Sequence, residues 1–230
     1  MKSIDQHKGN TKSDLVYDFI KEQIITGVYK PDERIIIRDV ARQLGVSDIP
    51  VREGIKRLVA DGLLETKSHS GARVAPVNTD TLEEIFLIRI ELETLSTRLA
   101  AKAASPEEID SLERLVDQMD ESINKQDLNA YSLSNRAFHQ QLYRASHAQV
   151  LIDMVENLFL RSENSKMVFH YDPDRLRQSN EEHRAIVEAI RDRDEEKAAR
   201  IIRSQKETGF KVVLNALRIS RMLQGGETKS

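Results

Sequence analysis

The stretch Val46-Ser47-Asp48-Ile49-Pro50-Val51-Arg52-Glu53-Gly54-Ile55-Lys56-Arg57-Leu58 decides the fold. It reads as a turn followed by a helix with two faces. Leu44, Val46, Val51, Ile55 and Leu58 supply an apolar set at helical spacing. Arg52, Lys56 and Arg57 fall where a helix offers donors to DNA phosphates and base edges. A short helix is predicted ahead of it, Ile37 to Gln43, ending at Gly45. Glycine takes the left-handed conformation of a tight turn without a Cβ penalty. Helix, tight turn and helix is the form of a major-groove reader.

Outward from this centre, Ser13 can cap a first helix carrying Leu15, Val16, Phe19, Ile20 and Ile24, ending at Gly27. Pro31-Asp32 turns the chain into the second helix, and Asp61-Gly62 breaks the third. Leu63–Lys67 and Ala72–Ala75 read as two short strands joined by Ser68-His69-Ser70-Gly71. Residues 11–76 therefore read as a winged helix-turn-helix, with Pro76-Val77-Asn78 as linker. From Asp80 every segment is helical. Leu82, Ile85, Phe86, Leu92, Leu95 and Leu99 form a long stripe. Ser105-Pro106-Glu107-Glu108 places an N-cap, a first-turn proline and first-turn acids in order. Asp127, Ala148, Asp172-Pro173 and Asp194 open four more helices. Residues 80–223 are thus predicted as an antiparallel bundle of six helices, and the whole chain as mainly α.

The 230 residues lack cysteine, which excludes disulfides and thiolate metal sites and suits a reducing cytoplasm. No apolar leader or membrane-length run is seen. Net charge is −3: residues 1–78 carry 13 Lys+Arg against 11 Asp+Glu, the remainder 22 against 27. A balance of +2 is too mild to imply nucleic acid by itself; the residue pattern carries that reading.

Gly27-Val28-Tyr29-Lys30-Pro31-Asp32-Glu33-Arg34-Ile35, Leu44-Gly45-Val46-Ser47, Pro50-Val51-Arg52-Glu53, Asp61-Gly62-Leu63-Leu64 and Gly71-Ala72-Arg73-Val74 resemble the GntR family signature. Arg89-Ile90-Glu91-Leu92-Glu93, Leu99-Ala100-Ala101, Phe138-His139 and Glu182-His183-Arg184-Ala185-Ile186 resemble the effector-binding (FCD) domain of the FadR subfamily. Six helices look closest to its VanR-like group. The resemblance implies a cytoplasmic, dimeric transcription regulator, commonly a repressor. It would bind a pseudo-palindromic operator and respond to a small organic acid.

It also implies DNA contacts at Arg34, Arg52 and the wing residues His69 and Gly71, with Ser47 and Lys56 beside them. Arginine can fork to guanine O6 and N7. The alternative for Arg52 is a structural pair with Glu53 or Asp39; for Lys56 and Arg57, an ordinary solvated face. Asp48 and Ser70 depart from the family pattern, which has arginine at the first and often at the second. An aspartate cannot bond a phosphate, so the operator is expected to differ from the usual half-sites or to bind more weakly.

In the helical half, Asn135, His139, His183 and Gln205 fall on inward faces. The resemblance implies a divalent metal held there by one Asp and three His. Here Asn135 and Gln205 replace two of the four, and amide oxygens are weak, neutral ligands. Zinc, nickel or manganese is therefore expected to be weak or absent. The alternative is a metal-free polar cluster that binds the effector directly. Arg89 is read as the anchor of an effector carboxylate, or else as an internal pair with Glu93 or another acid. Arg136, Arg161 and Tyr143 lie on helices that line the bundle; His7, His147 and His170 read as surface residues. Two other readings exist: a metal-dependent helical enzyme using His139 and His183, and a protein-interaction module.

Overall fold

A computed structural model describes residues 11–25, 28–67, 71–76, 79–163 and 173–226. The chain divides into two compact units, 1–78 and 79–230.

The first unit begins with α1 (Lys12–Ile25). Thr11, not Ser13, starts it: the Asp14 N–H donates to Thr11 Oγ1 at 3.2 Å, and the Thr11 N–H donates to Asp14 Oδ2 at 2.8 Å. The capping position is one that the predicted cap overshot by two residues. Val16, Ile20 and Ile24 are buried, whereas Leu15 is exposed. The predicted stop at Gly27 lies outside the described residues. Helix α2 (Ile37–Leu44) ends at Gly45 with φ 64°, and the Gly45 N–H donates to the Ala41 carbonyl. Helix α3 (Asp48–Ala60) follows at once and buries Val51, Gly54, Ile55 and Leu58. Gly54 is the point of closest approach to α1: a Cβ there would stand 2.8 Å from Val16 Cγ1 and 3.2 Å from the Tyr17 backbone nitrogen.

Strands β1 (Leu64–Lys67) and β2 (Gly71–Val74) pair antiparallel, Leu64 opposite Val74 and Lys67 opposite Gly71. A third extended segment, read from sequence only as a turn, lies against β2. Asp32 donates to the Val74 carbonyl, Val74 to Glu33, and Ile35 to Ala72. Arg34 and Arg73 form a backbone bridge there. This segment lacks the strand alternation that would have marked it, because β2 supplies its partners and only a few residues pair.

The second unit is a bundle of six described helices: α4 (Thr79–Ala103), α5 (Pro106–Asn124), α6 (Leu128–Arg144), α7 (Gln149–Glu163), α8 (Pro173–Arg191) and α9 (Glu195–Gly226). Ser105, the predicted N-cap, forms a capping box with Glu108 on α5. Asp127 accepts from Ala130 N–H, and Asp194 from Lys197 N–H, so two more starts are capped as expected. Helix α4 packs chiefly on α9 and α7, and α5 on α6 and α8. The core between them includes Leu112, Val116, Met119, Phe138, Leu142, Ile186, Ile190 and Ile202.

The predicted α4 stripe departs at Leu95, while Leu92 packs partly buried against the core. Leu82, Ile85 and Phe86 are buried, but Leu95 is 42% exposed. The inward face continues instead through Arg89, Glu93, Ser96, Thr97 and Ala100. Apart from Arg89 and Glu93, apolar periodicity does not mark these positions, because burying polar groups is costly without partners; here partners exist. Thr97 Oγ1 returns to the Glu93 carbonyl, and Ser96 Oγ reaches the Tyr143 carbonyl.

Candidate functional site

In the first unit, Ser47, Asp48, Arg52 and Lys56 are exposed on the N-terminal part of α3. Ser47 is the N-cap, but its side chain makes no capping bond, which leaves its hydroxyl facing outward. The proposed structural partners of Arg52 are engaged elsewhere: Asp39 with Arg42 at 2.6 Å and Glu53 with Lys56 at 2.8 Å. Arg52 has no ion pair among the described residues. The Lys56 pair is exposed, and such pairs contribute little and are screened by salt, so a phosphate can displace Glu53.

Arg57 has a partner that its own helix does not supply. Its guanidinium donates to Asp14 Oδ1 at 2.5 Å and lies over the Tyr17 ring, 4.5 Å from its centroid. Those bonds, together with those from Thr11, hold the Asp14 carboxyl down at about 2. Arg57 fastens α3 to α1, so a phosphate contact there would compete with Asp14 for the guanidinium. The sequence could not show this, because Asp14 lies on another helix.

Arg34 is exposed, and its side chain lies above the wing. Its Nε and Nη2 would be 3.7 Å from a Cβ at Gly71, which has φ +79°. A side chain at Gly71 would be strained by this left-handed backbone, while its Cβ would meet that guanidinium only at ordinary contact distance. The structure thus brings Arg34 and Gly71 together. His69 and Ser70 lie outside the described residues. Ile49 went unremarked in the sequence, yet it is 73% exposed beside Asp48 and Arg52. An apolar residue in that place suits a thymine methyl.

In the second unit, polar side chains from five helices meet in the interior. Glu93 is fully buried on α4. Arg89, one turn earlier, holds its Oε1 through Nε and Nη2, both at 2.6 Å. The Tyr143 hydroxyl of α6 donates to the other oxygen, and Lys206 Nζ of α9 lies 3.0 Å from it. Burial alone would raise the Glu93 carboxyl; the charges of Arg89 and Lys206 outweigh it and hold the group at about 2. Burial, then the Glu93 charge, push the Tyr143 phenol well above its ordinary value. Arg89 also donates to Ser162 Oγ at 2.6 Å and lies over the rings of Phe159 and Phe210. The internal pair with Glu93, the second sequence reading for Arg89, is therefore formed.

Lys206 links this carboxylate to the two histidines. Its Nζ is 3.2 Å from His139 Nε2, which itself lies 3.3 Å from His183 Nε2. Burial, then the charges of Lys206 and Arg175, lower the His183 imidazole to about 3, so it is neutral. Gln205 donates to the Ser179 carbonyl at 3.3 Å. Its Oε1 and His183 Nδ1 are buried with no hydrogen-bond partner among the described residues. Asn135 is half-buried on the same helix as His139. Arg136 lies over the Phe159 ring at 5.8 Å. Arg161 is exposed and does not line this cluster.

These residues fit a divalent metal poorly. The two imidazole nitrogens stand close enough to share an ion. But the other candidate donors, Asn135 and Gln205, are neutral, both Glu93 oxygens are engaged, and an ammonium already lies against His139. Among the described residues no group of three or more His, Cys, Asp or Glu could hold a metal.

Sequence reading missed Lys206. The signal was present: Ile202, Gln205, Lys206, Gly209 and Val213 follow helical spacing, with Ile202, Gln205, Lys206 and Val213 buried. His147 is exposed and lies 3.0 Å from Glu108. His7 and His170 are outside the described residues.

A winged helix with an open arginine on its third helix, followed by a helical bundle with a buried polar cluster, is the architecture of a ligand-responsive DNA-binding protein. Comparison with known proteins agrees. Residues 12–74 match the family described as "Bacterial regulatory proteins, gntR family", and residues 84–205 match the FCD domain. The chain is 31% identical to the HTH-type transcriptional regulator McbR of Escherichia coli K12, over 77% of this chain and 81% of that one. It is 30% identical to a probable D-xylose utilization operon transcriptional repressor of Paenarthrobacter nicotinovorans, over 82% of each. The solved structure of E. coli McbR/YncC superposes with a TM-score of 0.82 at 26% identity, covering 90% of this chain and 98% of that one. The chain belongs to the GntR family of bacterial transcription regulators, in the FadR subfamily that carries an FCD domain. It is a DNA-binding regulator with an effector-binding domain, and not an enzyme. Among the described residues no helix is long and apolar enough to cross a membrane.

Proposed function

We propose that the chain represses transcription as a homodimer on a pseudo-palindromic operator, and that a small organic acid bound in the helical domain releases it. One observation carries the effector reading: the buried carboxylate of Glu93 sits between Arg89 and Lys206. The interior is already built around a carboxylate, with two cations and a phenol as donors. An effector carboxylate competes with Glu93 for those donors, and a bidentate guanidinium favours such a ligand. To change operator affinity it must bind the DNA-competent and incompetent arrangements unequally. Exposed Leu87, Ile88 and Leu95 on α4 support a two-fold partner covering this helix.

On the DNA side, Arg52 reads a base, Arg34 and Gly71 set the wing, and Ser47 and Lys56 engage phosphates. Asp48 accepts from a cytosine amino group or orients Arg52. His69 and Ser70 complete the wing contacts. The test is an anisotropy titration of the tag-free protein on DNA upstream of its own gene. Arg52→Ala should weaken operator binding about 10- to 100-fold, in line with ~1–3 kcal/mol for a bidentate base contact, and relax discrimination at one base pair. Lys56→Ala should weaken binding to every sequence alike and reduce the salt slope by about 1. Binding that ignores salt would exclude the DNA reading of this helix.

A further inference from the structure

The cluster joining Glu93, His139 and His183 contains a cation that the chain itself provides. We propose that the Lys206 ammonium takes the place of a divalent ion in this cluster, so that the helical domain binds its anionic effector without a metal. The inference deepens the effector reading above and rests on it.

Three observations lead to it. First, position: His139 Nε2 faces His183 Nε2 at 3.3 Å and Lys206 Nζ at 3.2 Å. An ion held by an imidazole would lie about 2.0–2.1 Å from that nitrogen, beside an ammonium of like charge. Second, donors: the two other candidate ligands, Asn135 and Gln205, are neutral amides, and both oxygens of Glu93 are engaged by Arg89, Tyr143 and Lys206. A dication would therefore gain no carboxylate ligand without breaking those contacts. Third, unmet hydrogen bonds: Gln205 Oε1 and His183 Nδ1, on residues 5% and 0% exposed, have no partner among the described residues. Buried polar atoms of this kind are completed by a ligand or by water.

Lysine serves this purpose differently from a metal. Its ammonium donates hydrogen bonds and accepts none. It can therefore hold one carboxylate oxygen while still bonded to Glu93 or His139. It adds a single positive charge to an interior that has only one carboxylate in these contacts.

The experiment uses the full chain without a tag and zinc as the probe. Protein is equilibrated with excess zinc, passed through gel filtration and analysed for metal per chain. The wild type should retain less than one-tenth of an equivalent. Lys206→Met, with the ammonium removed, should bind zinc at least tenfold more tightly, whereas Lys206→Arg should stay metal-free. One tightly held zinc per wild-type chain overturns the proposal. So does a folded Lys206→Met protein whose zinc affinity matches the wild type. If Lys206→Met fails to fold, the wild-type and Lys206→Arg measurements decide alone. Zinc content does not depend on any effector, so failure here is distinct from failure of the organic-acid reading, which appears as operator complexes that no carboxylate releases.

Discussion

Asp48 stands at the first turn of α3, exposed beside Arg52. A carboxylate in this place favours the helix, because it meets the positive end of the helix dipole. If Asp48 faces DNA as proposed, the same charge repels the DNA backbone, so helix stability and operator affinity would pull in opposite directions at one residue. Asp48→Arg should tighten operator binding and steepen its dependence on salt by about one to two phosphates' worth of slope. An unchanged salt slope would show that Asp48 does not face the DNA. Glu93 makes the complementary case in the interior. Its carboxyl is held at about 2, below its ordinary 4.5, because Arg89 and Lys206 outweigh burial. With the folded value depressed, the unfolded chain takes up the proton first as pH falls. Stability from this group is therefore complete above about 4.5 and lost as pH falls toward 2. Glu93→Gln should cost about 3–5 kcal/mol at neutral pH, since it leaves buried cations unpaired. The gap to wild type in denaturant melts should narrow as pH falls through that window. A gap that is constant with pH would mean the residue acts through packing alone.

At the scale of the element, Gly54 shows how one residue sets the packing of two helices. A glycine inside a helix costs about 1 kcal/mol relative to alanine. Here the missing Cβ lets α3 approach α1, where Val16 Cγ1 would stand 2.8 Å from it and the Tyr17 backbone 3.2 Å. Val16 is buried and β-branched, so it cannot step aside at low cost. Overpacking of this kind costs about 1–3 kcal/mol. Gly54→Ala should therefore lower the melting temperature of the first unit, despite the better helix propensity. A rise would show that α1 moves away freely. Arg57 belongs to the same interface. Its bond to Asp14 and its position over Tyr17 fix the back of the recognition helix to α1, while Arg52 remains open on the front. Periodicity assigned both arginines to one exposed face. Only the neighbouring helix distinguishes them.

The whole molecule combines a reader of DNA with a sensing bundle, each with its own core. If it binds as a two-fold dimer, its operator has two half-sites at a spacing near one helical turn or a multiple of it. Inserting about five base pairs between the half-sites should turn one site to the opposite face of the duplex and abolish tight binding. Inserting about ten should restore much of it. Binding that is indifferent to both insertions would mean that each chain binds alone.

What the sequence determined was whatever is local. Gly45 ends α2 because its backbone conformation is intrinsic to glycine. Ser105-Pro106-Glu107-Glu108 starts α5, and Asp127 starts α6, because a cap bonds to residues within one turn. The helix-turn-helix, the wing strands and the six helices of the bundle were legible for that reason. The family signature was legible because turn and recognition helix are contiguous. What only the tertiary structure decided was partnership between distant residues. Asp14 takes Arg57, Glu93 takes Lys206, and residues 32–35 take β2 as a neighbour. None of these follows from spacing along one helix. A charge can be buried only where packing brings its counter-charge, and packing brings together residues that lie far apart in the chain.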